Sequence, residues 1–199
     1  MELVLWRHGQ TDANLHQRIQ GRSNIPLNAT GVAQAQAVAP ALAALEPHRI
    51  VCSPLKRALQ TAEVLGERCG LAVTVEEGLV ERSFGAWEGK DRQEIAAGWP
   101  EEYRRWREGG EPRGLGVETR DQVATRVRAA LERICATAEE DERVVVVSHG
   151  SALSIAASSL LGQRVSAWFG LRGLDNCRYG VLRSARREPG WVLTGWNLG

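Results

Sequence analysis

Two apolar runs in this chain each end on a histidine followed by a glycine. Leu3-Val4-Leu5-Trp6 leads into Arg7-His8-Gly9, and Val144-Val145-Val146-Val147-Ser148 leads into His149-Gly150. Unbroken apolar runs of this length read as buried parallel strands, and residues at the carboxyl ends of such strands face the crevice where open α/β sheets bind ligands. If the two strands are neighbours, two histidines and an arginine meet at one spot, which suits a phosphate group. An imidazole nitrogen can attack phosphorus and hold the phosphoryl group as phosphohistidine, splitting one displacement into two.

Two further segments carry the complementary chemistry. In Ser53-Pro54-Leu55-Lys56-Arg57, the arginine falls in the first turn of a helix, beside unpaired amides and the positive end of the dipole. A guanidinium there can bind phosphate oxygens bidentately. In Glu81-Arg82-Ser83-Phe84-Gly85-Ala86-Trp87-Glu88-Gly89, Glu81 is a carboxyl group for an otherwise basic pocket, able to protonate a leaving alkoxide and then take a proton from water. Gly150 opens another strand-to-helix junction, again an anion site by geometry. Taken singly, Arg7-His8-Gly9 also describes a strand-end turn, Arg57 a solvated helix arginine, Glu81 a surface glutamate and His149 a structural histidine. His8 and His149 could also be metal ligands. Against this, His16 and His48 lie on polar segments, and no His-Glu-x-x-His or paired-cysteine spacing exists. Arginines can supply the charge that a metal would bring to phosphoryl transfer, so neither metal nor other cofactor is expected.

Together the segments resemble the histidine phosphatase superfamily, also called phosphoglycerate mutase-like. The resemblance rests on Arg7-His8-Gly9 with Thr11 and Asn14, on Leu27-x-x-x-Gly31-x-x-Gln34-Ala35 and on Ser53-Pro54-x-x-Arg57-Ala58-x-x-Thr61-Ala62. It continues with Glu81 before Phe84-Gly85-x-x-Glu88-Gly89 and with Ser148-His149-Gly150, in the family's order. It implies that His8 is the phosphorylated nucleophile, that Glu81 is the proton donor and acceptor, and that Arg7, Arg57 and His149 form the phosphate pocket. Asn14, Gln20 and Gly150 would add neutral hydrogen bonds to phosphate or substrate, with Thr11 and Gly21 in the same substrate-binding group. The implied activity is metal-independent phosphomonoester hydrolysis through phosphohistidine. Family mutases carry a longer insertion after the catalytic glutamate; here that region is short, so water should reach the phosphoenzyme, which favours a phosphatase. The opening Arg-His-Gly-Gln-Thr-Asp, with Asp175-Asn176 and Trp196-Asn197, is similar to the glucosyl-3-phosphoglycerate phosphatase branch, and Phe84 to Gly89 equally to the α-ribazole phosphatase branch. Gly116-Val117-Glu118-Thr119 only partly matches the Gly-Gly-Glu-Ser of many phosphatase members. The alternatives are a cofactor-dependent phosphoglycerate mutase and a non-catalytic phospholigand-binding module, although such modules usually lose the nucleophile or the acid, and both are present.

The elements that must position these residues follow from periodicity. Strands are predicted near 2 to 6, 49 to 52, 72 to 75, 143 to 148, 177 to 184 and 191 to 197. Helices are predicted over 30 to 45, with Asn28 as cap and Pro40 as a kink or break, and over 53 to 67, with Ser53 as cap and Pro54 in its first turn. Two more follow over 122 to 138 and 151 to 161. This order argues for an α/β fold: a three-layer sandwich with a mostly parallel six-stranded sheet, helices on both faces and an antiparallel edge. A length of 199 residues with 43% hydrophobic content suits one domain over 1–199, with a small cap or loop insertion at about 78–120. The parts 78 to 92 and 107 to 120 read as irregular loops. Specificity is expected in 107 to 120 with Gln20, Arg22 and the last strand, where Arg22, Arg107 and Arg113 are candidates to meet a second anionic group.

Composition bounds the partners. With 25 basic and 24 acidic residues, a net charge of +1 offers no footprint for nucleic acid and no basic membrane-binding surface. No apolar run approaches the roughly 20 residues of a membrane span, and the amino terminus enters a strand without a signal sequence. A cytoplasmic location is expected, with Cys52, Cys69, Cys135 and Cys177 as free thiols. The expected partner is a small-molecule phosphate ester, with a homodimer the one assembly considered.

Overall fold

The computed structural model describes residues 1–199. One mixed sheet is built from β1 (Glu2–Arg7), β2 (Arg49–Cys52), β3 (Val73–Val75), β4 (Arg143–Ser148), β5 (Tyr179–Ser184) and β6 (Trp191–Leu198), in the spatial order β3-β2-β4-β1-β5-β6. The first four are mutually parallel; β5 runs antiparallel to β1, and β6 antiparallel to β5. The register pairs Trp6 with Val147 and Arg7 with Ser148. Both central strands therefore stop at the same level, and His8 and His149 leave the sheet side by side.

The helices are α1 (Asp12–Leu15), α2 (Ala29–Ala43), α3 (Lys56–Cys69), α4 (Arg92–Gly98), α5 (Pro100–Arg107), α6 (Arg120–Ala136) and α7 (Gly150–Leu160). Alternation along the central strands divides the core. Leu3, Leu5, Val144 and Val146 pack with α6 and α7, while Val4, Trp6, Val145 and Val147 pack with α2 and α3 on the other face. Each such fully buried aliphatic side chain contributes about 1.5–3 kcal/mol of transfer free energy, so the strand ends that carry the histidines are anchored from both sides.

Several expectations need correction. Pro40 does not break α2, which runs through it to Ala43. It sits near the helix end, and both Pro40 and Gln36, the residue whose carbonyl loses its donor, are exposed, so water can replace the missing bond. Ser53 does not cap α3, which starts at Lys56 after Leu55 and has no side-chain cap. Between the two segments read as irregular, 92 to 107 holds two helices that the periodicity did not predict. The first is announced by an Asp91-x-x-Glu94 capping box and the second by Pro100 in its first turn. Beside them Phe84, Trp87 and Ile95 form a small core of their own, packed against Trp99, Tyr103 and Trp106. No helix is long and apolar enough to cross a membrane.

Candidate active site

His8 is the first residue beyond β1 and is buried. Its ring Nδ1 lies 2.7 Å from the Gly9 carbonyl, which can only accept, so Nδ1 carries the proton and Nε2 presents its lone pair. Arg57 Nε approaches that Nε2 at 3.3 Å. Burial, reinforced by the Arg57 and Arg7 charges, holds the His8 imidazole well below its ordinary value of 6.5. The ring is therefore neutral at physiological pH, the form a nucleophile requires. The turn is fixed by backbone: the Gly9 amide donates to Thr61 Oγ1 at 3.1 Å, and Asn176 Nδ2 donates to the carbonyls of His8 and Gly9 at 3.1 and 3.2 Å. A Cβ on Gly9 would stand 2.4 Å from the Gly31 carbonyl, and one on Gly31 2.1 Å from the Gln10 carbonyl. These glycines let the first turn of α2 press directly against the loop that carries the histidine.

Arg57 lies in the first turn of α3, only 1% exposed. Its Nη1 and Nη2 donate to the carbonyls of Ser23 and Gly21 at 2.7 and 2.8 Å, which aims Nε at His8. Burial lowers its pKa to about 10, so it stays charged at neutral pH. Arg7 donates through Nη1 to the Leu174 carbonyl at 2.6 Å, while its buried Nε has no partner in the protein.

His149 is wholly buried, its ring centroid 5.2 Å from that of His8 at an interplanar angle of 60°. Its Nε2 lies 2.8 Å from Ser53 Oγ, and its Nδ1 is buried without a partner. Burial first, then the charges of Arg57 and Arg7, hold this ring well below 6.5 as well. Two unpaired buried donors, Arg7 Nε and His149 Nδ1, thus border the same histidine and can serve an oxyanion.

Glu81 occupies the amino end of α7. Its carboxylate accepts from the amides of Ser151 at 3.2 Å, Ala152 at 2.9 Å and Arg82 at 2.8 Å. The helix terminus, read from the sequence as an anion site for the ligand, is filled by the protein's own carboxylate. Gly150 stays open on the other side: a Cβ there would stand 3.5 Å from Arg7 Cζ, in ordinary contact.

The structure brings Arg7, His8, Arg57, Glu81 and His149 together as expected, and it reassigns some of the neutral residues. Thr11 is fully buried and caps α1 in a reciprocal box with Asn14, whose Oδ1 also accepts from Asn176 Nδ2 at 3.3 Å. Thr11 is committed to holding the loop, whereas Asn14 is anchored through Oδ1 alone, which leaves its Nδ2 amide free to donate to a ligand. Gly21 serves through its carbonyl on Arg57, and its φ of +51° with Glu88 directly beneath excludes a side chain. Gln20 is nearly buried with Oε1 unpartnered. Arg22 is already engaged, donating to the Glu81 carbonyl at 3.2 Å and to Glu118 Oε2 at 3.2 Å. Ser53 was expected only as a helix cap and Thr61 and Asn176 were given no role at the site, although Ser53 and Thr61 stand inside the quoted Ser-Pro-x-x-Arg-Ala-x-x-Thr-Ala motif. No group of three or more His, Cys, Asp or Glu side chains is arranged to hold a metal ion.

Residues 3–199 match the histidine phosphatase superfamily (branch 1). The chain belongs to this superfamily. It is 37% identical over 209 residues to the glucosyl-3-phosphoglycerate phosphatase of Mycobacterium tuberculosis, covering 98% of this chain and 93% of that protein. It is also 34% identical over 200 residues to a Salmonella paratyphi A protein named "Probable phosphoglycerate mutase GpmB", covering 98% of this chain and 90% of that one. The solved structure of mycobacterial glucosyl-3-phosphoglycerate phosphatase with VO3 superimposes with a TM-score of 0.91 at 36% identity, covering 100% of this chain and 99% of that one. The α/β three-layer arrangement is thus that of the histidine phosphatases, and the enzyme class is phosphatase.

Proposed function

We propose that this protein hydrolyses a phosphoglycerate-derived monoester, of the kind exemplified by glucosyl-3-phosphoglycerate, through a phosphohistidine on His8. The observation that carries the mechanism is the His8 ring itself: neutral, buried, its proton tied to the Gly9 carbonyl and its Nε2 lone pair set beside Arg57. In the first step the Nε2–phosphorus bond forms, the ester oxygen–phosphorus bond breaks, and Glu81 gives its proton to the departing alkoxide. In the second, water attacks phosphorus, passes a proton to Glu81 and frees His8 with release of phosphate. Arg7, Arg57 and the Nδ1 of His149 stabilise the developing charge on the equatorial oxygens, so no step calls for a metal.

The substrate class is supported by the mycobacterial relative at 37% identity over nearly the whole chain. The segment 78–120, with its separate aromatic core, then acts as a cap beside the centre. Four free cysteines suit a reducing cytoplasm. The mutase reading has the 34% identical relative in its favour, and one experiment separates the two. Enzyme labelled on His8 is mixed with 3-phosphoglycerate, and the label is followed. Release as inorganic phosphate is expected; transfer to 2-phosphoglycerate faster than release would establish the mutase instead.

A further inference from the structure

A cavity of about 250 Å³ opens at the amino end of α7, lined among others by Arg120, Ser151, Ser154, Phe169, Leu171 and Arg172. It begins where the phosphate site ends. Gly150 lines it and stands against the Arg7 guanidinium, and Ser151 lines it while its amide holds Glu81. A leaving oxygen protonated by Glu81 must lie beside Ser151, so the carbon chain attached to that oxygen has this cavity next to it.

The cavity's charge is unusual for this molecule. It has two arginines and no carboxylate in its lining, whereas four other cavities, of about 220 to 450 Å³, each carry at least one acid, Asp121 and Glu132 in the largest of them. The two arginines differ in freedom. Arg120 is fixed, donating to the carbonyls of Val165 and Trp168 at 2.6 and 3.3 Å and lying 4.6 Å over the Phe169 ring. Arg172 is 68% exposed and held only by Asp175, itself 58% exposed. An exposed pair of this kind is weak and exchanges readily for another carboxylate.

We propose that this cavity receives the alcohol portion of the ester and that Arg172 meets a carboxylate on it. The inference rests on the phosphatase reading for its place in the reaction, but its test is a binding measurement that needs no turnover. Of the arginines to which the sequence pointed, Arg22 is already engaged by Glu118, and neither Arg107 nor Arg113 lines this cavity.

The test uses two probes that differ only in the group at issue, 3-phosphoglycerate and glycerol 3-phosphate, titrated calorimetrically into the wild-type protein and into Arg172→Gln, Arg107→Gln and Arg113→Gln. Wild type is expected to favour 3-phosphoglycerate by about tenfold, as for one charged pair. Arg172→Gln should erase that preference, and the other two variants should keep it. Absence of the preference in wild type, its survival in Arg172→Gln, or its loss in Arg107→Gln or Arg113→Gln would each overturn the proposal. Hydrolysis of p-nitrophenyl phosphate by the same wild-type sample reports separately on the phosphatase reading.

Discussion

Ser53 Oγ and His149 Nε2 stand 2.8 Å apart with both side chains wholly buried, and this contact decides what the second histidine can offer a phosphate. The buried hydroxyl has no other acceptor in the protein for its proton, so that proton points to Nε2 and the ring proton resides on Nδ1, the atom without a partner in the protein. Replacing Ser53 by alanine removes this preference. We expect Ser53→Ala to lower kcat/KM by about tenfold, in line with the loss of one hydrogen bond, while ring ¹⁵N shifts show His149 passing from the Nδ1–H tautomer to a mixture. Finding the Nε2–H tautomer in the wild-type protein would remove the basis for this role.

Both buried histidines also set the acid limit of the fold. Their ring pKa values in the folded protein lie well below 6.5, chiefly through burial. Above pH 6.5 neither the folded nor the unfolded chain protonates them and they cost nothing. Below it the unfolded chain takes up protons that the folded chain refuses, so stability falls as pH drops from 6.5 toward the folded values. Thermal unfolding across that window should show the decline, and His149→Gln should lessen its slope. An unchanged slope would mean that other groups govern acid unfolding.

Much of this site was legible in the sequence because it is made at strand ends. Val144 to Val147 and Leu3 to Trp6 are unmistakable buried strands, and their pairing in register leaves His8 and His149 adjacent. What could not be read were contacts created only by the folded chain. Nothing local at Ser53 tells that its hydroxyl will meet a histidine 96 residues away rather than cap the next helix. Asn176 likewise reaches His8 and Gly9 from the far end of the chain. Arg22 looked free for a ligand because Glu118, its partner, lies 96 residues distant. The helices α4 and α5 were obscured by their short length and largely polar sequences, although Asp91 and Glu94 marked the start of the first.

Glu81 can be tested through the leaving group. Its carboxylate is oriented by the amides of Ser151, Ala152 and Arg82, and its proposed task is to give a proton to an alkoxide. An alkyl alkoxide needs that proton and a nitrophenolate does not. Glu81→Gln should therefore cut kcat for an alkyl phosphate by about 10²- to 10⁴-fold, the usual range for a lost general acid, and reduce p-nitrophenyl phosphate turnover far less. Equal losses on the two substrates would show that Glu81 acts otherwise than by proton transfer.

The two histidines should respond unequally to removal. His8 alone presents a lone pair, since its Nδ1 proton is committed to the Gly9 carbonyl, whereas the unpartnered atom of His149 is a donor. Only His8 can therefore form the bond to phosphorus, and His149 contributes by stabilising charge on the oxygens. His8→Ala is expected to abolish turnover and covalent labelling together. His149→Ala should slow turnover by about 10²- to 10³-fold, the typical cost of one such donor, while the acid-labile, base-stable label still accumulates on His8. The measurement is mapping of the label after brief exposure to labelled substrate and rapid quenching. Label on His149 in the wild-type enzyme, or undiminished turnover in His8→Ala, would reverse the assignment, because the neutral rings would then have exchanged the roles that their hydrogen bonds give them.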